Sequence, residues 1–131
     1  MNREKLKEKV IGVIQQQCES RGFVTMIDVL IEIGALRRED MERWHKGQVD
    51  YLERVCRMNL SQLSYVIQIV QTYAKAQGLK PSLTDYHSYG KKPHRPLRFS
   101  KYGKADVERK YATHYVDVQR MTAIKKKDER R

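Results

Sequence analysis

Cysteine is almost missing from this 131-residue chain: Cys18 and Cys56 are the two present, and no CxxC spacing joins them. A disulfide framework and a cysteine-held zinc site are therefore not expected. Both thiols lie on the apolar sides of helix-like stretches and read as buried and reduced. His45, His87, His94 and His114 keep no metal-ligand spacing to one another or to the cysteines, so neither a metal nor any other cofactor is expected. No apolar run approaches the ~20 residues that cross a bilayer, and MNREKLKEK opens an amphipathic stretch rather than a signal-peptide core. The reading is a cytoplasmic protein with no membrane partner. Internal repeats and low-complexity linkers are missing too. No nucleophile, base and orienting group stand together, so the sequence predicts no catalytic residue and no enzyme.

Acidic side chains are what the second half lacks. Residues 1–78 carry 12 basic and 10 acidic side chains, whereas residues 79–131 carry 15 and 6. From Tyr86 to Lys104 there are six lysines and arginines and no acid. The formal charge of +11 thus belongs chiefly to the C-terminal part and points to a polyanionic partner. Hydrophobic residues make up 40% and charged residues 33%, which at this length suits one core. A single domain is expected over residues 1–120. A mobile basic tail is expected over residues 121–131, where MTAIKKKDERR has too little apolar content to pack.

Helical periodicity runs through residues 3–20, where Leu6, Val10, Val13, Ile14 and Cys18 recur and Gly22 ends the pattern. Thr25 suits the cap of a second helix with Asp28 at its third position, Val24 and Val29 forming a staple across it and Gly34 closing it. RREDMERWHKG, acidic first and basic last, predicts a third helix over residues 37–47 with Trp44 turned inward. A short fourth helix is expected from Asp50, as its cap, through Tyr51, Leu52, Val55 and Cys56. Asn59 caps the longest helix, in which Leu60, Leu63, Ile67, Val70 and Ala74 form an apolar stripe and Gly78 is the stop. Its other side, Ser61, Ser64, Tyr65, Gln68, Gln71, Thr72 and Lys75, is largely neutral where a solvated helix usually carries glutamate–lysine pairs.

After Pro81 the pattern changes. SLTDYHSY alternates in polarity, GKKPHRP is turn-prone, and PLRFS suits a returning strand, which together predict a hairpin with a basic tip. Residues 104–112 read as a short helix, although Tyr111, Tyr115 and Val116 equally suit a strand. The expected fold class is mainly α (α+β), with four to five helices, then a β-hairpin with a basic tip, then the tail. This layout resembles that of winged-helix DNA-binding domains. The resemblance implies one helix in the major groove and a hairpin wing on the adjacent backbone. The turn at Met58 and Asn59 departs from it in lacking the glycine common in helix-turn-helix turns.

Lys91, Lys92, Arg95, Arg98, Lys101 and Lys104 suit phosphate contacts, which gain affinity by releasing counterions. The competing reading is an edge hairpin kept soluble by charge, but solubility alone would mix both signs. Gln68, Gln71, Thr72 and Lys75 suit base edges or phosphates, and equally a dimer face. Tyr89 and Tyr102 flank the basic loop as stacking candidates, whereas Tyr86, Tyr111 and Tyr115 suit a small core. Asp85 with Glu108 and Lys110 imitates a metal-dependent nuclease only loosely, as His87, His94 and His114 near the cations imitate a metal-free ribonuclease. The sequence therefore predicts a small nucleic-acid-binding protein, with duplex DNA favoured over RNA or single strands. It would act as a monomer or homodimer in transcription regulation or as an accessory factor. The alternative is an inhibitor or adaptor of the small phage-encoded kind, docking its basic face on an acidic protein surface with Trp44 or the tyrosines as anchors.

Overall fold

Helix α1 (Arg3–Arg21) begins where the Asn2 side chain accepts the Lys5 N–H at 2.8 Å, and ends where Gly22, at φ +83°, donates its N–H to the Cys18 carbonyl. The computed structural model describes residues 2–89 and 95–129. A Cβ at Gly22 would stand 3.0 Å from the Met121 backbone, so this turn needs glycine both for its left-handed φ and for close approach. After β1 (Phe23–Val24), Thr25 Oγ1 accepts the Asp28 N–H at 3.1 Å and starts α2 (Met26–Glu32), which buries Met26, Ile27, Val29 and Leu30. Helix α3 (Arg38–His45) turns Trp44 fully inside, as its pattern implied. Arg37 and Arg43 each reach the buried Asp40 carboxylate at 3.1 Å, and the Arg37 hydrogen bond holds that carboxyl below its usual range.

The expected fourth helix is a single 3-10 turn, Leu52–Val55, and Asp50 pairs with Arg54 at 2.8 Å instead of capping it. The N–H groups of Leu52 and Glu53 donate to the carbonyls of Arg98 and Phe99, so tertiary partners take the first-turn donors. Helix α4 (Leu60–Ala76) starts with a reciprocal capping box between Asn59 and Gln62. Leu63, Ile67, Val70 and Ala74 are buried as expected, and Val66 and Ile69 widen the stripe. Leu60, at the first helical position, is instead 40% exposed. Helix α1 packs along α4, and Gln15 Nε2 donates to the Tyr73 hydroxyl at 2.9 Å.

The chain continues through β2 (Lys80–Leu83), α5 (Ala105–Ala112), β3 (Thr113–Val116) and α6 (Val118–Glu129), giving a helix-rich α+β fold. The three strands form an antiparallel sheet in the order β1-β3-β2, with Val116 between Phe23 and Lys80 and Tyr115 between Val24 and Pro81. The helix and the strand that competed for residues 104–116 thus both form, one after the other.

The partner of β2 is β3, not the PLRFS segment. Residues between them make a smaller ribbon around an isolated bridge of His87 and Pro96, with Ser88 N–H donating to Arg95 O at 2.8 Å and Leu97 N–H to Tyr86 O at 2.9 Å. Pro96 has no N–H to extend the ladder. The expected basic tip at residues 90–94, with Lys91, Lys92 and His94, lies outside the described residues. The end of the chain, expected to lack packing, is helical through Glu129. Its anchor lies at its start: Asp117 N–H donates to Gly22 O, and Arg120 reaches the carbonyl and the carboxylate of Glu19 at 2.9 and 3.3 Å. Cys18 and Cys56 are free thiols; burial pushes both up, Cys56 to about 12. No helix among the described residues is long and apolar enough to cross a membrane.

Candidate functional site

The stretch from Arg98 to Lys104 has no regular secondary structure, so its backbone groups need partners from elsewhere. Two carboxylates supply them. Glu108, on α5, accepts the N–H groups of Phe99 at 2.8 Å and Ser100 at 2.7 Å, together with the Ser100 hydroxyl. Glu53, on the 3-10 turn, accepts the Lys101 N–H at 2.8 Å and the Tyr111 hydroxyl at 2.6 Å. Burial, then the bond to Glu53, pushes the Tyr111 phenol well above its usual range and keeps it a donor. Trp44 Nε1 and Leu52 N–H both donate to the Arg98 carbonyl, at 2.8 and 3.1 Å. Phe99 is buried between Trp44 and Tyr111, stacking on the latter at 5.4 Å. The loop is thereby clamped by α3, the 3-10 turn and α5.

The clamp leaves Lys101, Tyr102 and Lys104 exposed, with Lys101 Nζ 5.5 Å from the centre of the Tyr102 ring. Arg95 is exposed on the ribbon. Among the described residues, none of Arg95, Arg98, Lys101 and Lys104 is ion-paired with a carboxylate. Arg98 is nevertheless engaged. Its Nε and Nη2 donate to the carbonyls of Ser100 and Lys101 at 3.0 Å each, and its guanidinium lies over Tyr51, so it serves the clamp.

Tyr89 is 62% exposed and stacks on His45 at 4.1 Å, while its N–H donates to the His45 carbonyl. Burial lowers the His45 pKa and so favours the neutral ring. On α4, Gln68, Thr72 and Lys75 are exposed. Gln68 and Thr72 border a groove of about 420 Å³ against Lys7 and Ile11 of α1. Gln71 is half-buried and does not border that groove.

The residues that loosely imitated a nuclease are not assembled as one. Glu108 and Asp85 border the same small cavity, but both Glu108 oxygens are taken by loop donors. Among the described residues no three His, Cys, Asp or Glu side chains gather as metal ligands. His114 is half-buried between Thr84 Oγ1 at 3.2 Å and the Tyr86 hydroxyl at 2.6 Å, rather than beside the cations. Trp44 is wholly buried and cannot anchor a partner, whereas Tyr89 and Tyr102 are open.

Sequence reasoning missed the loop-holding roles of Glu53, Glu108 and Ser100, having met Glu108 only in a loose likeness to a nuclease. The sequence carried one signal, and it was negative: a cation-rich stretch with no acid of its own needs carboxylate acceptors from elsewhere in the fold. The chain matches no family model, no curated protein and no solved structure.

Proposed function

We propose that this is a small basic nucleic-acid-binding protein, duplex DNA favoured, that acts as a regulator or accessory factor through phosphate contacts. One observation carries the reading: the Glu53 and Glu108 carboxylates that reach the Arg98–Lys104 loop are spent on its backbone, while Arg95, Lys101 and Lys104 are exposed and unpaired among the described residues. A loop whose backbone is already held loses little backbone freedom when it meets a phosphate row, and each cation that contacts a phosphate releases counterions. The winged-helix-like layout belongs to this reading. It is supported by the antiparallel order β1-β3-β2, with the cation-bearing excursion joining β2 to α5 and β3. Gln68, Thr72 and Lys75 add a polar face on α4 that suits backbone or groove contact.

The test is fluorescence anisotropy against labelled duplex DNA, single-stranded DNA and structured RNA over a range of salt. In the Lys101→Ala, Lys104→Ala double variant, affinity should fall for every sequence alike, and the slope of log affinity against log salt should shrink by about 2. An unchanged slope would remove the loop from the interface. The second reading, a protein with an acidic surface, is favoured by Tyr89 and Tyr102 standing open beside the cations. It requires weak binding to all three nucleic acids even at low salt.

A further inference from the structure

Where β2 ends, the chain passes a cavity of about 210 Å³ at the foot of the ribbon. Leu83, Leu97, Phe99 and Ala112 give it apolar walls, and Leu83 is 62% exposed at its mouth. Half of its polar neighbours are already engaged: Thr84 and Tyr86 bind His114, and Glu108 holds the loop. Asp85, His87 and Arg109 are not: all three are exposed and line the cavity, and Asp85 and Arg109 form no ion pair with each other or with any other described residue.

An uncompensated carboxylate beside a surface for polyanions weakens binding unless the ligand gives it a hydrogen bond. The volume is below the ~300–1,000 Å³ of sites for drug-sized molecules and suits one planar ring. We infer that this cavity receives a single unpaired nucleobase bearing an amino group, cytosine above all, with Asp85 accepting its N–H and Arg109 meeting the attached phosphate. This inference rests on the nucleic-acid reading and names the substrate class within it. A carboxylate is acceptor-only, so it pairs with the amino group of cytosine and repels the carbonyl that thymine presents at that position. Leu83 and Leu97 supply the apolar contact that a base loses on leaving its stack. That loss is least for a base already unpaired, so a bulge, frayed end or adjoining single strand is the natural substrate.

Equal-length labelled oligo(dC) and oligo(dT) are titrated with the full chain and with Asp85→Ala, whose folding is checked by circular dichroism. The wild type should prefer oligo(dC) by roughly tenfold. Asp85→Ala should reduce that preference below about threefold with the salt slope unchanged. Equal affinity for the two oligomers, with both weakened in the Lys101→Ala, Lys104→Ala variant, would overturn the base pocket and leave phosphate binding standing. A preference for oligo(dC) that survives Asp85→Ala would also overturn it. Failure of both oligomers and of duplex DNA to bind at low salt would sink the pocket and the nucleic-acid reading together.

Discussion

Glu108 shows how much one side chain settles here. It receives three donors from Phe99 and Ser100, and hydrogen bonds to charged groups contribute ~1.5–3 kcal/mol each. Glu108→Gln keeps the shape but turns an amide donor toward one of those donors. It should cost about 2 kcal/mol, read as a lower urea midpoint at unchanged m-value. If the proposed function holds, nucleic-acid affinity should fall as well, since Lys101 and Tyr102 lose their fixed position. The histidines argue at the same scale. Burial lowers the pKa of both His45 and His114, and for His114 Asp28 opposes that shift while Arg21 adds to it. The unfolded chain therefore binds protons first as pH falls. Stability from these neutral rings is complete above the ordinary value of 6.5 and declines below it toward the folded values. Urea midpoints should drop between about pH 7.5 and about pH 5.5, and His114→Gln should flatten part of that drop. An equal slope in the variant would place the titration elsewhere.

Among the elements, α4 has the most local support, because Asn59 and Gln62 satisfy each other's backbone donors at 2.8 and 3.1 Å. Asn59 is exposed, so Asn59→Ala should cost about 1 kcal/mol through the cap alone, without repacking the core. Thermal denaturation followed at 222 nm checks it. The 3-10 turn is the opposite case. Its residues satisfy their first donors on Arg98 and Phe99, so its form depends on a segment more than forty positions away.

For the whole molecule, Trp44 is the internal reporter. Its ring is fully buried against Phe99, and its Nε1 bonds the Arg98 carbonyl, tying the helical half to the basic loop. If loop and helices unfold as one, Trp44 fluorescence and far-UV ellipticity should share one urea midpoint. Separated transitions would mean that the loop and ribbon open as a smaller unit below the global transition. The answer also bears on binding, since a loop that opens separately would present its cations without a fixed geometry.

What the sequence determined by itself were the features set by neighbours within a turn or two. The caps at Thr25 and Asn59, the stop at Gly22 and the short helix before β3 were legible because their partners lie three or four residues away. The inward Trp44 was legible from its place in the helical pattern, although its partners, Arg98 and Phe99, lie far along the chain. That the cations from Arg95 to Lys104 form no ion pair among the described residues was foreshadowed by a stretch without acids. Tertiary structure alone decided the rest. It paired β2 with β3 across thirty residues, reduced the expected fourth helix to one turn, left Gln71 half-buried, and brought Glu53 and Glu108 to the loop. Each of those outcomes depends on which distant donor meets which acceptor. Periodicity reports only which face of an element is apolar; which groups pair across the chain is decided when buried backbone donors find acceptors in the folded molecule.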